Sequence, residues 1–544
     1  MTKLGITVFV LLSLTLVDAS IYVGASNDTP IIDLGYAKYQ GVFDSANNVT
    51  NYLGIRYAAP PTENLRWRAP QLPADNTSVV QLANTQPQAC LQANQGESST
   101  NPLEDLDKRT SASANPEDCL FLNVYFPGDI VPTESLPTLV WIHGGGYIAG
   151  DAASFTGSDL MREANNEIVL VILQYRLGLF GFLAGSEVEE NGDLNAGLLD
   201  QDFALRWVQT HISKFGGDPA KVTIWGESAA QDGRSSPQLF RGAITSSTFL
   251  PSQYFYNDTI PEVSAQTINI HPFLTTPKLL YSEVVSQAGC SSANDSLMCL
   301  RAVDATTLEA INSHINIEGF FGTFVFVPVV DGRFITQRPT EALKQGKVNG
   351  KALLSFTNTN EGTTFVNQTD PITNVSLYAS TLFPKFGSQQ AQDTEQLYAN
   401  LGSSVQQDDL IMGESIFVCP TYYLLNAFAN SGWKGEFAVP PATHGSDLVY
   451  YFTSSLSQGT PAFNNTDFLA AFQGAFMSFV VSQNPNEKIN STITPSWNLY
   501  SQGDTEMVFN RTVDGQPDVH VNTTNQELLQ RCNFWQSVSP LTGQ

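Results

Sequence analysis

Continuous apolar runs of strand length, each followed by a turn, recur along the first half of the chain. Leu120–Phe126, Pro137–His143 and Glu167–Gln174 are such runs, and Val222–Trp225 ends another. Before the last of them, Asn195–Phe215 carries apolar residues at helical spacing. Apolar strands that alternate with helices are typical of an α/β fold, because helices cover both faces of the sheet. We predict a large, mostly parallel central sheet with helices on both faces.

The rest of the chain gives no sign of a second folding unit. Residues 30–60 contain short β-like runs, and residues 250–350 and 365–440 are expected to form helical and loop excursions around the sheet. No internal repeat, long low-complexity linker or sharp change of composition divides the sequence. The chain is long enough for one very large core or for several domains, and we expect a single domain over residues 20–544.

The N-terminal segment Met1–Ala19 has the pattern of a signal peptide. Lys3 supplies a positive start, Leu4–Val17 is an apolar run, and small residues precede a cut at Ser20. A buried first helix is the alternative. The run is shorter than the roughly 20 residues that span a bilayer, and the C-terminus lacks the apolar tail of a lipid-anchor signal. We expect a secreted, soluble mature protein without a stable membrane anchor.

Composition and charge narrow the range of partners. The formal net charge is -26, with 42% hydrophobic and 14% charged residues. This composition is globular, and so acidic a chain disfavours nucleic acid and anionic membrane surfaces as partners. The six cysteines are an even number, which suggests disulfides in an exported protein, and many sequons suggest surface glycans. The sequons begin at Asn27, Asn48, Asn76, Asn257, Asn294, Asn367, Asn374, Asn464, Asn490, Asn510 and Asn522.

The turn after Trp225 carries the strongest chemical signal. Gly226-Glu227-Ser228 begins a nucleophile elbow, G-x-S-x-G, in which a serine on a tight strand-to-helix turn exposes its hydroxyl. The fifth position is Ala230, so the signature is imperfect, and a lone G-x-S-x-A would more often be a chance loop serine. Ser228 is favoured as a nucleophile because the chain supplies the other parts of a hydrolase in the right order.

A nucleophilic serine needs a base, an acid that orients the base, and donors for the oxyanion. His444 lies just before an apolar run and Glu361 just after a strand-like run, so both fall at the rim of a core element. Either residue alone would more often be an ordinary surface group. Together they give the order serine, acid, histidine of the α/β-hydrolases. Gly144–Gly146, directly after an apolar run, offers unhindered backbone N–H groups for the oxyanion.

From about Ile31 to Trp535 the chain resembles the type-B carboxylesterase/lipase family, in particular its fungal secreted lipases and sterol esterases. The resemblance implies an α/β-hydrolase fold and the hydrolysis of carboxylic esters. The motifs that carry it are, in order, EDCLFLNVYFP (Glu117–Pro127), VWIHGGGYIAG (Val140–Gly150), YRLGLFGFL (Tyr175–Leu183), NAGLLDQDFALRWV (Asn195–Val208), FGGDPAKVTIWGESA (Phe215–Ala229), FVPVVDG (Phe326–Gly332), NEG (Asn360–Gly362) and HGSDL (His444–Leu448).

The resemblance also implies roles for individual residues. Ser228 matches the family's nucleophile, Glu361 its acid and His444 its base. The family's oxyanion donors are matched by Gly145, Gly146 and Ala229. Its disulfides are matched by Cys90–Cys119, Cys290–Cys299 and Cys419–Cys532. Its structural ion pairs are matched by Arg66–Glu117 and Arg176–Asp200.

The chain departs from the family directly after the nucleophile. Family members continue GESAG into a helix of several turns, whereas this chain reads GESAAQDGRSSPQLFRGAI. Gly233 and Pro237 would break what remains of that helix, whose N-terminus fixes the serine. Three alternatives are open. The elbow is rebuilt in another way, the protein is a damaged or silent homologue, or the sequence carries a gene-model error.

The leading hypothesis is a secreted serine carboxylester hydrolase that forms an acyl-enzyme on esters with an apolar acyl chain. It implies no metal or organic cofactor, and its expected partner is a small-molecule or lipid ester. The rival is a catalytically silent, cholinesterase-like binding module, which the shortened elbow favours. The three triad residues and the glycine run favour the enzyme. The oligomeric state is left open by both hypotheses.

Two stretches bear on the substrate. Leu91–Asp118 is polar, with only Leu91, Leu103 and Leu106 as large apolar residues, whereas a flap that covers an apolar site needs an apolar face. Gly319–Pro328 is dense in phenylalanine, and it either lines an acyl tunnel or belongs to the core. We therefore expect an apolar acyl site with weak interfacial activation.

Overall fold

The structure, a computed structural model, describes residues 29–99, 116–228, 238–258, 280–455 and 458–544. The predicted signal peptide, Met1–Ala19, lies outside these residues, as do Leu103 and Leu106 of the polar loop and residues 229–237, which directly follow Ser228. The expectations for those segments therefore stay predictions.

The described chain begins with strands, and from residue 157 on groups of helices are interspersed among the remaining strands. None of the described helices combines the length and the apolarity that crossing a bilayer requires. The strands are β1 (Ile31–Asp33), β2 (Ala37–Gln40), β3 (Val42–Asp44), β4 (Val49–Arg56), β5 (Asn76–Leu82), β6 (Phe121–Pro127), β7 (Leu136–Ile142), β8 (Val169–Leu173), β9 (Gly217–Glu227), β10 (Gly242–Ser246), β11 (Ala352–Asn358), β12 (Gly432–Phe437), β13 (Thr505–Arg511) and β14 (Pro517–Thr523). The α-helices are α1 (Gly157–Glu163), α2 (Gly178–Phe182), α3 (Ser186–Asn191), α4 (Ala196–His211), α5 (Leu280–Gln287), α6 (Ser296–Ala302), α7 (Ala305–Ile317), α8 (Pro339–Lys344), α9 (Val375–Leu382), α10 (Ser388–Tyr398), α11 (Ser404–Gly413), α12 (Cys419–Phe428), α13 (Leu448–Tyr451), α14 (Thr466–Ser482) and α15 (Gln526–Thr542).

Eleven of the described strands form one sheet, in the order β14-β13-β12-β11-β10-β9-β7-β8-β6-β4-β3. Every neighbouring pair from β13 to β8 is parallel. Antiparallel strands complete both edges, and β1, β2 and β5 form a small separate sheet. The prediction of a large, mostly parallel sheet is confirmed.

Two hydrophobic cores lie on opposite faces of the large sheet. In β7, Val140 and Ile142 belong to the core that contains residues of α4 and α12, while Leu139 and Trp141 belong to the core that contains residues of α1 and α14. All four side chains are at most 1% exposed. A strand covered on both faces has no solvent-facing positions, which explains why β7 is a continuous apolar run in the sequence.

Aromatic packing fixes the end of β9, the strand that leads into Ser228. Trp225 stacks on Phe476 of α14 with ring centroids 4.6 Å apart, and it packs edge-on against Trp141 and Tyr451. Each aromatic ring buries a large apolar area. The backbone just before Ser228 is therefore held against the helix layer on one face of the sheet.

The four apolar runs predicted to be strands lie in β6, β7, β8 and β9, and Asn195–Phe215 forms α4 and a 3-10 turn. One expectation is wrong. Residues 365–440 do not form excursions alone, because β12 lies inside the sheet between β11 and β13. The sequence of β12 does not look like a buried strand because Lys434 interrupts its apolar residues. Lys434 is buried in the fold because it is paired, with Nζ 2.8 Å from Thr357 Oγ1 and 3.3 Å from the Glu506 carboxylate.

Three disulfide bonds join the pairs that the resemblance implies: Cys90–Cys119, Cys290–Cys299 and Cys419–Cys532. The first joins the two ends of the polar loop, and the third connects α12 to α15. Crosslinks of this kind restrict the unfolded chain and so favour the folded state.

Two buried ion pairs link distant segments of the chain, as the resemblance implies. Arg66 pairs with Glu117 and also donates to the carbonyl of Val303. Arg176 forms a two-point pair with Asp200 of α4, with both N···O distances 2.7 Å and side-chain exposures of 3% and 0%. A charge left alone at such a site lacks both water and a counter-ion.

We predict that Asp200→Asn destabilises the protein by about 3–5 kcal/mol, because it leaves the Arg176 guanidinium buried without a counter-charge. The free energy of unfolding in urea measures the effect. The matched control is Asp202→Asn on the same helix, which removes a partly exposed pair with Arg206 worth only about 0.3–0.5 kcal/mol. Equal losses in the two variants would contradict the prediction.

Candidate active site

Ser228 lies directly after the last residue of β9, in a turn that few non-glycine residues adopt. Its φ angle is +54°, in the left-handed region. The turn is held on both sides, because the Ser228 N–H donates to the carbonyl of Ser246 at 2.9 Å and the Phe249 N–H donates to the Ser228 carbonyl at 3.3 Å. Backbone strain that the surroundings maintain is common at functional sites. The turn presents the hydroxyl at the carboxyl end of the sheet.

The structure brings His444 and Glu361 to the same place. His444 Nε2 lies 3.2 Å from Ser228 Oγ, and His444 Nδ1 lies 2.6 Å from Glu361 Oε2. Glu361 follows β11 and His444 follows β12, so the three residues come from the carboxyl ends of three parallel strands. Ligand sites of open α/β sheets lie at this edge. The three residues singled out from the sequence therefore form one continuous chain of hydrogen bonds.

Glu361 is fixed by donors from two neighbouring strand ends. Its side chain has no exposed surface. The Ser247 hydroxyl donates to Oε1 at 2.7 Å and the Asn358 N–H donates to the same oxygen at 2.6 Å. Hydrogen bonds to a carboxylate are stronger than those between neutral groups, so the carboxylate that faces His444 has one well-defined orientation.

A second layer of polar residues continues the network. The Asn358 side-chain amide donates to Ser247 Oγ and to Asp447 Oδ1, both at 3.1 Å, and Tyr451 donates to Asp447 Oδ2 at 2.7 Å. No sequence pattern singles out Ser247, Asn358 or Asp447 as part of this network. Asp447 lies within the HGSDL motif and could have been found there. The other two are ordinary polar residues at strand ends, and only the fold brings them to Glu361.

Glu227, the residue before the serine, is a further buried carboxylate that the sequence analysis left without a role. Its Oε1 lies 3.3 Å from His444 Nε2, and the residue is 5% exposed. Gly144 makes room for it, since a Cβ at position 144 would lie 2.0 Å from Glu227 Oε2. Burial raises the pKa of Glu227 to about 8, an effect that His444 opposes and that Asp447 and Glu361 reinforce.

His444 is surrounded by carboxylates on one side and aromatic rings on the other. Its ring centroid lies 4.5 Å from that of Phe417 and 5.0 Å from that of Phe365. Burial alone would lower the pKa of His444, but the carboxylates, first of all Glu361 and then Glu227, outweigh it and raise the pKa to about 9. The imidazole is therefore a stronger base than a free histidine.

The glycine run lies opposite the serine. Gly145 and Gly146 have φ angles of +104° and +62°, and both line a cleft that also contains Ser228 and His444. Within the described part of the chain, no group accepts a hydrogen bond from their two N–H groups. At Gly146 a Cβ would lie 2.4 Å from the Phe324 ring. Ala229, the third expected oxyanion donor, lies outside the described residues.

Two spaces with shared walls lie at the site, and Ser228 lines the larger of them. The cleft has a volume of about 940 Å³, and its walls include the polar side chains of Asn94 and Glu97 from the loop between Cys90 and Cys119. A smaller space of about 180 Å³, here called the front cavity, shares Phe324 and Phe365 with the cleft. Its remaining walls are almost entirely apolar.

The phenylalanine-rich stretch Gly319–Pro328 contributes to both spaces and to the core. Phe320 and Phe324 line the front cavity and Phe321 lines the cleft, whereas Phe326 is 1% exposed and belongs to the hydrophobic core. Part of this stretch therefore lines a cavity and part belongs to the core, and the acyl tunnel stays a prediction. Within the described ranges, no three histidine, cysteine or carboxylate side chains are arranged to hold a metal ion.

Comparison with known proteins gives consistent matches over nearly the whole chain. The model of the Carboxylesterase family matches residues 28–535. Carboxylesterase patB of Penicillium expansum is 30% identical over 94% of this chain and 96% of its own length. Secreted triacylglycerol lipase LIP1 of Gibberella zeae is 29% identical over 84% of this chain and 83% of its own length. The crystal structure of EstA from Aspergillus niger has a TM-score of 0.79 and 29% identity, and the match covers 95% of this chain and 99% of EstA.

We predict that Glu227→Gln lowers the pKa of His444 by about one unit, because a nearby carboxylate favours the charged imidazolium. The unprotonated imidazole, which is the form that can accept a proton, then extends to lower pH. NMR titration of the histidine ring protons measures the shift, and the chain's six histidines keep assignment simple. Glu97→Gln, which alters an exposed carboxylate of the same cleft, is expected to leave this pKa within about 0.2 units. An unchanged pKa in Glu227→Gln would refute the electrostatic role.

Proposed function

The chain belongs to the carboxylesterase family and has the α/β-hydrolase fold, which makes it a carboxylic ester hydrolase, and we propose that it cleaves esters by nucleophilic attack of Ser228. The observation that carries this proposal is the chain of hydrogen bonds from Ser228 Oγ through His444 to Glu361, at 3.2 and 2.6 Å. A serine hydroxyl is a weak nucleophile unless a base accepts its proton, and His444 Nε2 is within reach of that proton.

The proposed reaction has two steps. Ser228 Oγ attacks the ester carbonyl while His444 takes the hydroxyl proton, and the proton then passes to the departing alcohol, which leaves an acyl-enzyme. In the second step His444 takes a proton from water, the resulting hydroxide attacks the acyl carbonyl, and the bond to Ser228 Oγ breaks as His444 returns the proton to that oxygen, which releases the carboxylic acid. Both steps use only side chains of this chain and water.

Glu361 and the glycine run have supporting roles in this proposal. Glu361 accepts a hydrogen bond from Nδ1–H, so in the neutral imidazole Nε2 faces the serine without a proton, and the carboxylate stabilises the imidazolium that forms. The N–H groups of Gly145 and Gly146, which lack acceptors among the described residues, bind the negative oxygen of the tetrahedral intermediate together with the N–H of Ala229. Such preorganised donors commonly supply a large part of the rate acceleration.

An apolar acyl chain is the substrate feature that the front cavity supports. The rings of Phe249, Phe324, Phe365 and Phe417 line this cavity, and those of Phe365 and Phe417 also pack near His444. Burying a methylene group contributes about 0.8 kcal/mol, so a cavity of this kind favours esters with several acyl carbons. The proposed substrate is therefore a small-molecule or lipid ester with an apolar acyl chain.

Secretion as a single glycosylated domain completes the proposal. The three disulfides, which use all six cysteines of the chain, are typical of an oxidising compartment, and LIP1 of Gibberella zeae is named a secreted lipase. None of the asparagines of the described sequons is buried. We propose that Met1–Ala19 is removed and that residues 20–544 form one hydrolase domain, in which the family match spans residues 28–535.

The rival hypothesis, a silent binding module, depends on the shortened segment after Ser228. That segment lies outside the described residues. The formed hydrogen-bond chain and the family membership favour the enzyme. Labelling with a serine-reactive fluorophosphonate separates the two hypotheses, because only an activated serine reacts. Sequencing the transcript across residues 228–240 would show whether the segment is complete.

We expect Ser228→Ala to lower kcat on a chromogenic short-chain ester by about 10⁴-fold or more, since the nucleophile is lost. The control is Ser252→Ala, a serine in the wall of the front cavity that makes no hydrogen bond to the three site residues. Circular dichroism melting checks that both variants fold. Equal rates in wild type and Ser228→Ala would remove Ser228 from the mechanism.

Val327→Trp is expected to change the preference for acyl length. Val327 is half-buried and lines the front cavity, so the larger ring takes space from the acyl chain. Loss of room for two methylenes corresponds to about a 10-fold decrease in kcat/KM for an octanoate ester relative to an acetate ester. Val327→Ala, which adds room, is the control and should preserve the ratio. A fall in both activities alike would argue against an acyl site in this cavity.

Interfacial activation should be weak, because the described loop residues that line the cleft are Ala93, Asn94, Gln95 and Glu97, which offer no large apolar face to a lipid surface. Activity on a medium-chain ester is expected to rise smoothly with substrate concentration through the solubility limit. A sharp increase at the point where droplets form would show that the polar-loop argument is wrong.

A further inference from the structure

A second cavity, here called the rear cavity, lies against the face of the sheet that α12 covers. Its volume is about 210 Å³, and its walls include Ile224 of β9, Ala243 of β10, Leu424 of α12 and Ala342 of α8. None of Ser228, Glu361 and His444 lines it. The rear cavity is therefore a space separate from the cleft in which the ester reacts.

The size and the walls of the rear cavity suit an alkyl chain. Apolar cavities of about 150 Å³ in proteins stay dry and take up small apolar molecules, and this cavity is larger. An empty space of this size costs stability because its walls lack contact partners. A bound hydrocarbon chain would supply those contacts.

One end of the rear cavity carries hydrogen-bond donors without acceptors. The side-chain nitrogens Gln337 Nε2 and Asn349 Nδ2 are buried and have no partner within the described structure. Lys347 is exposed beside Gln337, with Nζ 3.3 Å from Gln337 Oε1, and it also lines the cavity. A buried donor without an acceptor is costly, so this end of the cavity is complete only when an acceptor occupies it.

The charge at this end specifies the acceptor. None of the described lining residues is acidic, although the chain as a whole has a net charge of -26. Two amide donors and one ammonium group match the two oxygens of a carboxylate, which accepts several hydrogen bonds at once. An alcohol offers one oxygen and no charge, and leaves donors unpaired.

We propose that the rear cavity binds a medium-chain fatty acid, with its alkyl chain between the sheet and α12 and its carboxylate among Gln337, Asn349 and Lys347. The proposal concerns binding and does not depend on which residue attacks the ester. Phe249 lines both the rear and the front cavity, so a chain bound in the rear cavity contacts a ring that also bounds the proposed acyl site. The ligand is of the same chemical class as the acid that ester hydrolysis releases.

Dodecanoate binding, measured by equilibrium dialysis, tests the proposal in the full-length protein. Because dodecanoate can also enter the front cavity, the measurements use the Val327→Trp background, in which binding there is weakened and a tightly bound molecule in the rear cavity is expected to remain. Adding Ala342→Trp, which fills the rear cavity, should remove this molecule. Melting by circular dichroism shows whether each variant is folded. Unchanged binding in the folded double variant would overturn the proposed site.

A pair of charge reversals tests the carboxylate end without altering the interior. In the same background, Lys347→Glu is expected to weaken dodecanoate binding by about 10-fold, since a repulsive charge replaces an attractive one. The matched control is Lys344→Glu, an exposed lysine that pairs with Glu341 and does not line the cavity, with an expected change below about 2-fold. Binding of dodecan-1-ol should respond to neither reversal. Equal effects of the two reversals on dodecanoate, or no effect of Lys347→Glu, would overturn the carboxylate assignment.

Discussion

The buried carboxylate of Glu361 is the group on which the arrangement of the site depends. It has no exposed surface, and it accepts hydrogen bonds from His444 Nδ1, the Ser247 hydroxyl and the Asn358 N–H. A carboxylate can be buried only when such donors replace its lost water. The donors follow three different strands, so the carboxylate is satisfied only when β10, β11 and β12 are in their native register. The same register places His444 beside Ser228.

The sheet holds the site residues in fixed positions because helices cover both of its faces. Trp225 on one face and Ile224 on the other are anchored in separate cores, so the end of β9 cannot shift without disturbing two helix layers. Close-packed interiors resist such shifts. The positive φ angle of Ser228 is maintained by this rigid support, together with two backbone hydrogen bonds. The strained backbone at Ser228 thus depends on the packing of β9 between the two cores.

Both apolar cavities lie on the same side of the sheet, because the walls of each come mainly from the core that contains residues of α4 and α12. The front cavity shares Phe324 and Phe365 with the cleft that contains Ser228, and the rear cavity is lined by residues of β7, β9 and β10. Phe249 follows β10 and lines both cavities. Its N–H also bonds to the Ser228 carbonyl. A single short segment after β10 therefore contacts the elbow, the proposed acyl site and the proposed fatty-acid site.

Local patterns in the sequence were enough to predict the fold class, the core strands and the three residues of the hydrogen-bond chain. Continuous apolar runs mark strands that are covered on both faces, and Ser228, Glu361 and His444 each lie next to a recognisable run or turn. The strand β12 was missed because its buried Lys434 is neutralised by partners far away in the sequence. Other features also depend on partners that are distant in the sequence, and only the tertiary structure shows them. They are the roles of Glu227, Ser247 and Asn358, the raised pKa of His444 and the two cavities. These features depend on distances between groups that are brought together by strand register and helix packing, and no local pattern of residues encodes such distances.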